Sequence, residues 1–426
     1  MKKILVAEDS EMVIKILRHL LGQLPQYQPF FASNLGQAQA LLLANDDFFA
    51  ALVDLNLPDA PNGEVVDATL SKKIPTVVFT GTYDEKRREQ LFNKGVVDYL
   101  TKDGRYSYNK AVSMIQRLEK NQFIKVLVVD DSDMQRKHVS NLFKRHLFQV
   151  VEAVDGIDAI KVLLENPDTK LLITDYNMPR MDGFELVKNV RYKYDKTDLI
   201  MIGVSGESSE ALSAKFIKHG ANDFLRKPFH PEEFYCRIIH NIEYLELVEK
   251  ITDAAQRDHL TGLFHRHHFF NVARELCRSA QEKSLPLAVG VISIDGFRHI
   301  NDKYGYERGD FAIKHIAKSL QNMLDRFLLC RGDGDEFFVL MSGLDNEKAV
   351  AFISRVRQIL STEACVINGE DQHFYFSAGV TNQPLSGIDE QIKKATKLVR
   401  LAKESGGSMV LGDEDDEEED KDKEAG

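Results

Sequence analysis

Acidic residues stand at the ends of short apolar runs along this chain of 426 residues. Glu8-Asp9 closes the run 4–7, and Asp130-Asp131 closes the run 126–129. Asp54 and Asp175 end two further runs, each followed two residues later by an asparagine, Asn56 or Asn177. Three carboxylates gathered from such positions make a hard oxygen cage suited to Mg2+, with the main-chain carbonyl of Asn56 or Asn177 as a further ligand. A carboxylate positioned in this way can take a phosphoryl group as a nucleophile. Thr80 and Ser205, at the ends of two more runs, offer hydroxyls to a phosphoryl oxygen, and Lys102 and Lys227 offer neutralising charge. A different acidic cluster, Asp333-Gly334-Asp335-Glu336, lies between apolar segments as a tight hairpin whose glycine permits positive φ. Opposite a strand carrying Asp295, such a turn is a place for a divalent metal and a triphosphate.

The elements that must position these groups repeat. The segment beginning at Lys2 and the one beginning at Ile124 carry the same landmarks in the same order. Asp54 and Asp175 are 121 residues apart, and the Thr80/Ser205 and Lys102/Lys227 pairs are each 125 apart. Between landmarks lie amphipathic stretches such as 10–21 and 132–146. Apolar strands alternating with helices predict a parallel sheet covered on both faces, with its site beyond the carboxyl ends of the strands. Every landmark falls at such an end.

Taken together, these landmarks resemble the receiver domains of two-component response regulators, over residues 1–120 and 123–245. The resemblance implies that Asp54 and Asp175 are phosphoacceptors. Glu8, Asp9, Asp130 and Asp131 would hold Mg2+, with Asp9 and Asp131 as the direct ligands. Tyr99 and Phe224 match an aromatic that turns inward on phosphorylation. Lys227-Pro228 matches a pair that is usually cis, whereas the first repeat has Lys102-Asp103 and predicts a differently built final loop.

From 231 to 257 no glycine or proline follows the first residue, and Ile238, Ile242, Leu245, Val248 and Ile251 keep a three-four rhythm. That pattern predicts a joining helix with one sticky face, suited to dimerisation. Beyond it come Asp258, Leu260, Thr261 and Leu263, then Phe297-Arg298 with Ile300, Asn301 and Asp302, then Gly309-Asp310 and the acidic hairpin. The ordered set resembles the GGDEF domain of diguanylate cyclases, over 258–411, which join two GTP into cyclic di-GMP with Mg2+ across a homodimer. It implies Asn301 and Asp310 as guanine contacts and Lys403 as a phosphate-binding lysine. The carbonyl of Ile294 and the side chain of Asp335 would be metal ligands, and Asp335 and Glu336 the catalytic acids.

Departures fall in the same region. Ser293 stands where that family has a metal-binding Asp, Asp333 where it has the first hairpin Gly, and Gly407 where it has a phosphate-binding Arg. The product-inhibition Arg and Asp are replaced by Leu324 and Phe327.

The fold class expected is therefore α/β: two flavodoxin-like, doubly wound parallel-sheet receiver domains followed by an α+β, nucleotidyl cyclase-like GGDEF domain. Ten acids against two lysines between Asp413 and Glu424 hold most of the net charge of −11 and predict a disordered acidic tail over 412–426. The remainder has no long basic stripe, which argues against nucleic acid, and no apolar run of membrane-spanning length. The apolar stretch 4–7 ends in two acids and reads as a strand rather than a signal peptide. Four scattered cysteines, Cys236, Cys277, Cys330 and Cys365, have no metal-ligand spacing and fit a reducing, cytoplasmic setting.

The function expected is a response regulator of cyclic di-GMP signalling, phosphorylated by a sensor histidine kinase or phosphotransfer protein and forming a homodimer on phosphorylation. Its weakened output domain would bind GTP or other cyclic di-GMP signalling proteins. An active diguanylate cyclase is the alternative.

Overall fold

The apolar runs that end in acids are parallel strands, in a computed structural model that describes residues 1–81, 83–206, 210–363, 365–367, 370–384 and 387–415. Strands β1 (Lys2–Ala7), β2 (Tyr27–Ala32), β3 (Phe48–Val53), β4 (Thr76–Thr80) and β5 (Asp98–Thr101) form one sheet in the order β2-β1-β3-β4-β5. The second repeat builds the same arrangement. Strands β6 (Lys125–Val129), β7 (Gln149–Ala153), β8 (Thr169–Asp175), β9 (Ile200–Ser205) and β10 (Asp223–Arg226) take the order β7-β6-β8-β9-β10. Ile4 to Ala7 and Val126 to Val129 are buried on both faces, as continuous apolar runs in a helix-covered parallel sheet require.

Backbone register sets the landmarks side by side. Ala7 lies opposite Val53, Val129 opposite Thr174, and Thr80 opposite Thr101. The loop after β8 folds back over the Asp175 backbone. A Cβ on Gly183 would lie 2.1 Å from Asp175 O, so only glycine allows that approach. The Lys227-Pro228 bond is cis, as its resemblance implied.

The chain divides into two units, Met1–Val248 and Glu249–Gly426, and both parallel sheets belong to the first. The second unit is built on a mixed sheet. Its strands are β11 (Phe264–His265), β12 (Leu287–Ile294), β13 (Leu328–Arg331) and β14 (Glu336–Ser342), with β17 (Phe376–Thr381) and β18 (Val410–Leu411) beyond a small hairpin of β15 (Cys365–Ile367) and β16 (Glu370–Gln372). The order is β11-β13-β14-β12-β17-β18, with β12 antiparallel to both neighbours. Helix Ile388–Glu404 lies directly on β17. A Cβ on Gly379 would fall 2.1 Å from Ala395 O, so this glycine lets the helix settle close enough to carry Lys403 toward the end of β12.

Two expectations change. The joining helix runs Pro231–Gln256, but its apolar stripe is not one free face: Ile238, Ile242 and Leu245 are buried with Phe234 and Tyr235 in the core of the second parallel sheet. Tyr244, Leu247 and Ile251 are its exposed large apolar residues. The composition predicts a tail from 412, yet Asp413 is buried. Its carboxylate accepts from Thr381 Oγ1 at 2.6 Å and Asn382 N at 3.0 Å and pairs with Lys394 Nζ at 3.0 Å. Residues 416–426, the bulk of that tail, lie outside the described residues. No described helix is long and apolar enough to cross a membrane.

Candidate functional site

In the first sheet, Glu8 and Asp54 leave adjacent strand ends together, and Asp54 N–H donates to Ala7 O at 2.8 Å. One carboxylate oxygen from each of Glu8, Asp9 and Asp54 lies within 4.8 Å of the others. That donor set fits a hard divalent cation. Lys102 follows β5, its N–H bonded to Thr80 O at 2.8 Å, and its ammonium reaches both Glu8 Oε2 and Asp54 Oδ2 at 2.6 Å. Backbone N–H groups of Ser10 and Asn56 donate to Glu8 and Asp54, both at 3.2 Å.

Burial holds the Glu8 carboxyl above its ordinary range, although Lys102 pulls the other way. Burial also works to lower the Lys102 pKa, but its bonds to Asp54 and Glu8 outweigh that and raise it. Thr80 Oγ1 is buried with no hydrogen-bond partner among the described residues, an orphan that a phosphoryl oxygen would satisfy. Tyr99 is buried, edge-on to Tyr83 at 6.4 Å. The final loop does differ from that of the second repeat: Asp103 accepts from Thr101 Oγ1, and its N–H donates to Ser107 Oγ at 3.2 Å.

The second sheet repeats the pairing with one change. Lys227 Nζ donates to Asp175 Oδ1 at 2.6 Å and Asp130 Oδ2 at 3.0 Å, and Asn177 N donates to Asp175 Oδ2 at 2.9 Å. Burial raises the Asp175 pKa against the pull of Lys227. Ser205 is buried at the end of β9, and Phe224 packs against Phe216 at 5.5 Å. Asp131 is exposed, and among the described residues the three-carboxylate grouping occurs at Glu8, Asp9 and Asp54.

In the mixed sheet, Ser293 lies opposite Glu336 on one side and Ser377 on the other. Ser293 Oγ donates to Asp335 Oδ2 at 2.6 Å. Lys403 Nζ then donates to Ser293 Oγ at 2.6 Å, to Ile294 O at 3.2 Å and to Asp335 Oδ2 at 3.4 Å. The groups expected to surround a metal ion surround an ammonium. Asp295 faces elsewhere, accepting from Ser377 Oγ at 2.7 Å and Ser408 N at 2.8 Å, so it anchors the loop after helix Ile388–Glu404. Glu336 is held above the ordinary carboxylate range by burial first, then by Asp335 and Asp333.

Asn301 Oδ1 is buried with no hydrogen-bond partner among the described residues, and a Cβ on Gly309 would lie 1.9 Å from it. Glycine there is what lets the amide approach this backbone, while Asp310 is exposed. Two arginines were not anticipated. Arg266 pairs with Asp333, offsetting its extra charge. Arg331 joins Asp258 Oδ1 at 3.1 Å to Gly334 O at 2.9 Å and so ties the start of the domain to the hairpin. The hint was a basic residue immediately before an acidic turn, whose partner a linear pattern does not name.

Residues 126–239 match the family described as Response regulator receiver domain, and residues 255–409 match Diguanylate cyclase, GGDEF domain. Response regulator PleD of Caulobacter vibrioides is 24% identical over 453 residues, covering 96% of this chain and 99% of that one. A Chemotaxis protein CheY homolog of Campylobacter jejuni is 43% identical over 112 residues, 26% of this chain and 85% of that protein. The solved structure of a two-component system response regulator/GGDEF domain protein is 40% identical, with a TM-score of 0.52 over 58% of this chain and 100% of that one.

Proposed function

The chain belongs to the response regulators that join a receiver to a GGDEF domain, and from that premise we propose that phosphoryl transfer to Asp54 and Asp175 controls its output. That output binds a nucleotide or a partner within cyclic di-GMP signalling rather than turning over GTP.

The phosphoryl donor is a phosphohistidine of a sensor kinase or phosphotransfer protein. A carboxylate oxygen of Asp54 or Asp175 attacks phosphorus, the P–O bond forming as the P–N bond to the departing imidazole breaks. Mg2+, when held by Glu8, Asp9 and Asp54, supplies charge for the phosphoryl oxygens. The Lys102 ammonium, already on Asp54 Oδ2 at 2.6 Å, neutralises the acyl phosphate, and the Thr80 hydroxyl gains its missing partner. Around Asp175, Lys227 neutralises the acyl phosphate and the Ser205 hydroxyl hydrogen-bonds a phosphoryl oxygen.

The observation that carries the output half is the bond of 2.6 Å from Ser293 Oγ to Asp335, with Lys403 on both. A hydroxyl is a far poorer Mg2+ ligand than the carboxylate that the family places there. The second reading is an active diguanylate cyclase, making cyclic di-GMP from two GTP in a phosphorylation-promoted homodimer. Asp335 and Glu336 on the hairpin favour it, as does Asn301 Oδ1, which has no partner among the described residues.

Two measurements test the proposal. With acetyl phosphate and Mg2+, wild type is expected to carry base-labile label at both aspartates, and Asp54→Ala and Asp175→Ala each to lose one. Equal labelling of the double variant overturns the receiver assignment. Beryllofluoride-treated protein given GTP and Mg2+ is expected to make no more cyclic di-GMP than its Glu336→Ala variant. Robust product that this substitution abolishes selects the cyclase.

A further inference from the structure

We infer that the output domain holds nucleotide phosphates without a divalent cation, because the Lys403 ammonium stands as a built-in cation where the ion would stand. The inference rests on the reading that this domain binds nucleotide, and it identifies how the phosphates would be met.

Lys403 Nζ has the Ile294 carbonyl, the Ser293 hydroxyl and one Asp335 oxygen as its neighbours, at 3.2, 2.6 and 3.4 Å. These are one carbonyl, one neutral hydroxyl and one carboxylate, balanced by one positive charge. A divalent ion brought to the same oxygens would face that ammonium at close range with a single carboxylate to hold it. Asp295, directly after β12, has its two oxygens turned to Ser377 Oγ and Ser408 N rather than to this cluster. The Ser293 hydroxyl has given its only proton to Asp335, so it presents lone pairs to Lys403 and locks the ammonium in place.

Beside the ammonium opens a cavity of about 400 Å³, lined by Ser293, Glu336, Thr396, Arg400, Lys403 and Glu404 among others. Arg400, paired with Glu404 at 2.8 Å, adds a second cation to its wall. Glu336 and Glu404 place two carboxylates on the same wall, so the phosphates would be met by Lys403 and by an Arg400 that exchanges Glu404 for them, without a metal.

The test uses the full chain and two readouts. The first is binding of a fluorescent GTP analogue with Mg2+ or with EDTA. Wild-type affinity is expected to change less than threefold, and a tenfold or greater loss in EDTA overturns the inference. The double variant Ser293→Asp with Lys403→Ala restores a carboxylate and removes the ammonium. It is expected to become Mg2+-dependent by at least tenfold.

The second readout needs no nucleotide. It is Mn2+ binding followed by electron paramagnetic resonance, in a background where Asp54→Asn and Asp175→Asn weaken the receiver sites. Wild-type output should add no Mn2+, and the double variant should gain one. A wild-type Mn2+ that disappears with Asp335→Ala overturns the inference, as does a double variant that stays blind to the ion while retaining the wild-type melting temperature. Absence of GTP binding under all conditions rejects the nucleotide reading and the phosphate half of the inference with it, while the Mn2+ outcomes separately decide whether Lys403 takes the place of the ion.

Discussion

Each of the three sites sets a lysine ammonium on acids: Lys102 on Glu8 and Asp54, Lys227 on Asp130 and Asp175, Lys403 on Asp335. The environments differ. Glu8 and Asp54 are buried and share one cation, whereas Lys403 and Asp335 are partly open to solvent. Removing one partner of a buried pair strands the other charge, which costs about 3 kcal/mol, while an exposed pair contributes little. Lys102→Met is therefore expected to lower stability by about 3 kcal/mol in urea unfolding and to reduce acetyl phosphate labelling at Asp54. Lys403→Met should change stability by less than about 1 kcal/mol. Equal losses for the two variants would show that burial is not what separates these sites.

Among the helices, Pro231–Gln256 changes role along its length. Leu245 is 4% exposed within the second sheet's core, and Leu247, two residues on, is 55% exposed. Two residues advance a helix by about 200°, so neighbours in sequence face opposite ways. Leu245→Asp buries an unpaired charge and is expected to destabilise by more than about 3 kcal/mol, or to prevent folding. Leu247→Asp should leave stability within about 0.5 kcal/mol. If the exposed set Tyr244, Leu247 and Ile251 serves a second copy, that same substitution will reduce the beryllofluoride-promoted dimer in sedimentation. A dimer that withstands Leu247→Asp and Ile251→Asp together removes this helix from the interface.

At the scale of the molecule, the two parallel sheets of the first unit are tied by buried and half-buried polar contacts. Arg117 clasps Glu246 with bonds of 2.6 and 2.9 Å. His146, which follows helix Asp133–Arg145 in the second repeat, places Nε2 3.0 Å from Val97 O in the first and stacks on Tyr235 at 3.5 Å. A carbonyl only accepts, so Nε2 carries the proton of a neutral ring. Burial depresses its pKa from 6.5 to about 3. Between those values the unfolded chain binds a proton that the folded chain refuses. Stability present above pH 6.5 is therefore lost as the pH falls toward 3. Glu8 and Asp175, held above the usual carboxylate range, contribute with the opposite sign, so the comparison must be made against a variant. Urea midpoints of the wild type are expected to drop more steeply from pH 7 to pH 5 than those of His146→Phe, which keeps the stack without the titration. Parallel slopes would exclude His146 as the cause.

Much of this protein follows from its sequence alone. Buried parallel strands must read as unbroken apolar runs, so the runs ending in Glu8, Asp54, Thr80 and their counterparts marked both sheets and the ends where their sites lie. Near-constant offsets then identified the repeat, and the order of motifs after residue 257 identified the output domain. What only the tertiary structure decided is which group meets which. Periodicity assigns a residue to a face, but the partner of Lys403 depends on the register of β12 with β14 and on how closely helix Ile388–Glu404 can settle over Gly379. The same applies to Arg331, which reaches back to Asp258, and to Asp413, which is taken out of an acidic tail by Lys394 and Thr381. Each of these is a contact between residues well separated along the chain. Its geometry is set by the packing of whole elements rather than by local preference.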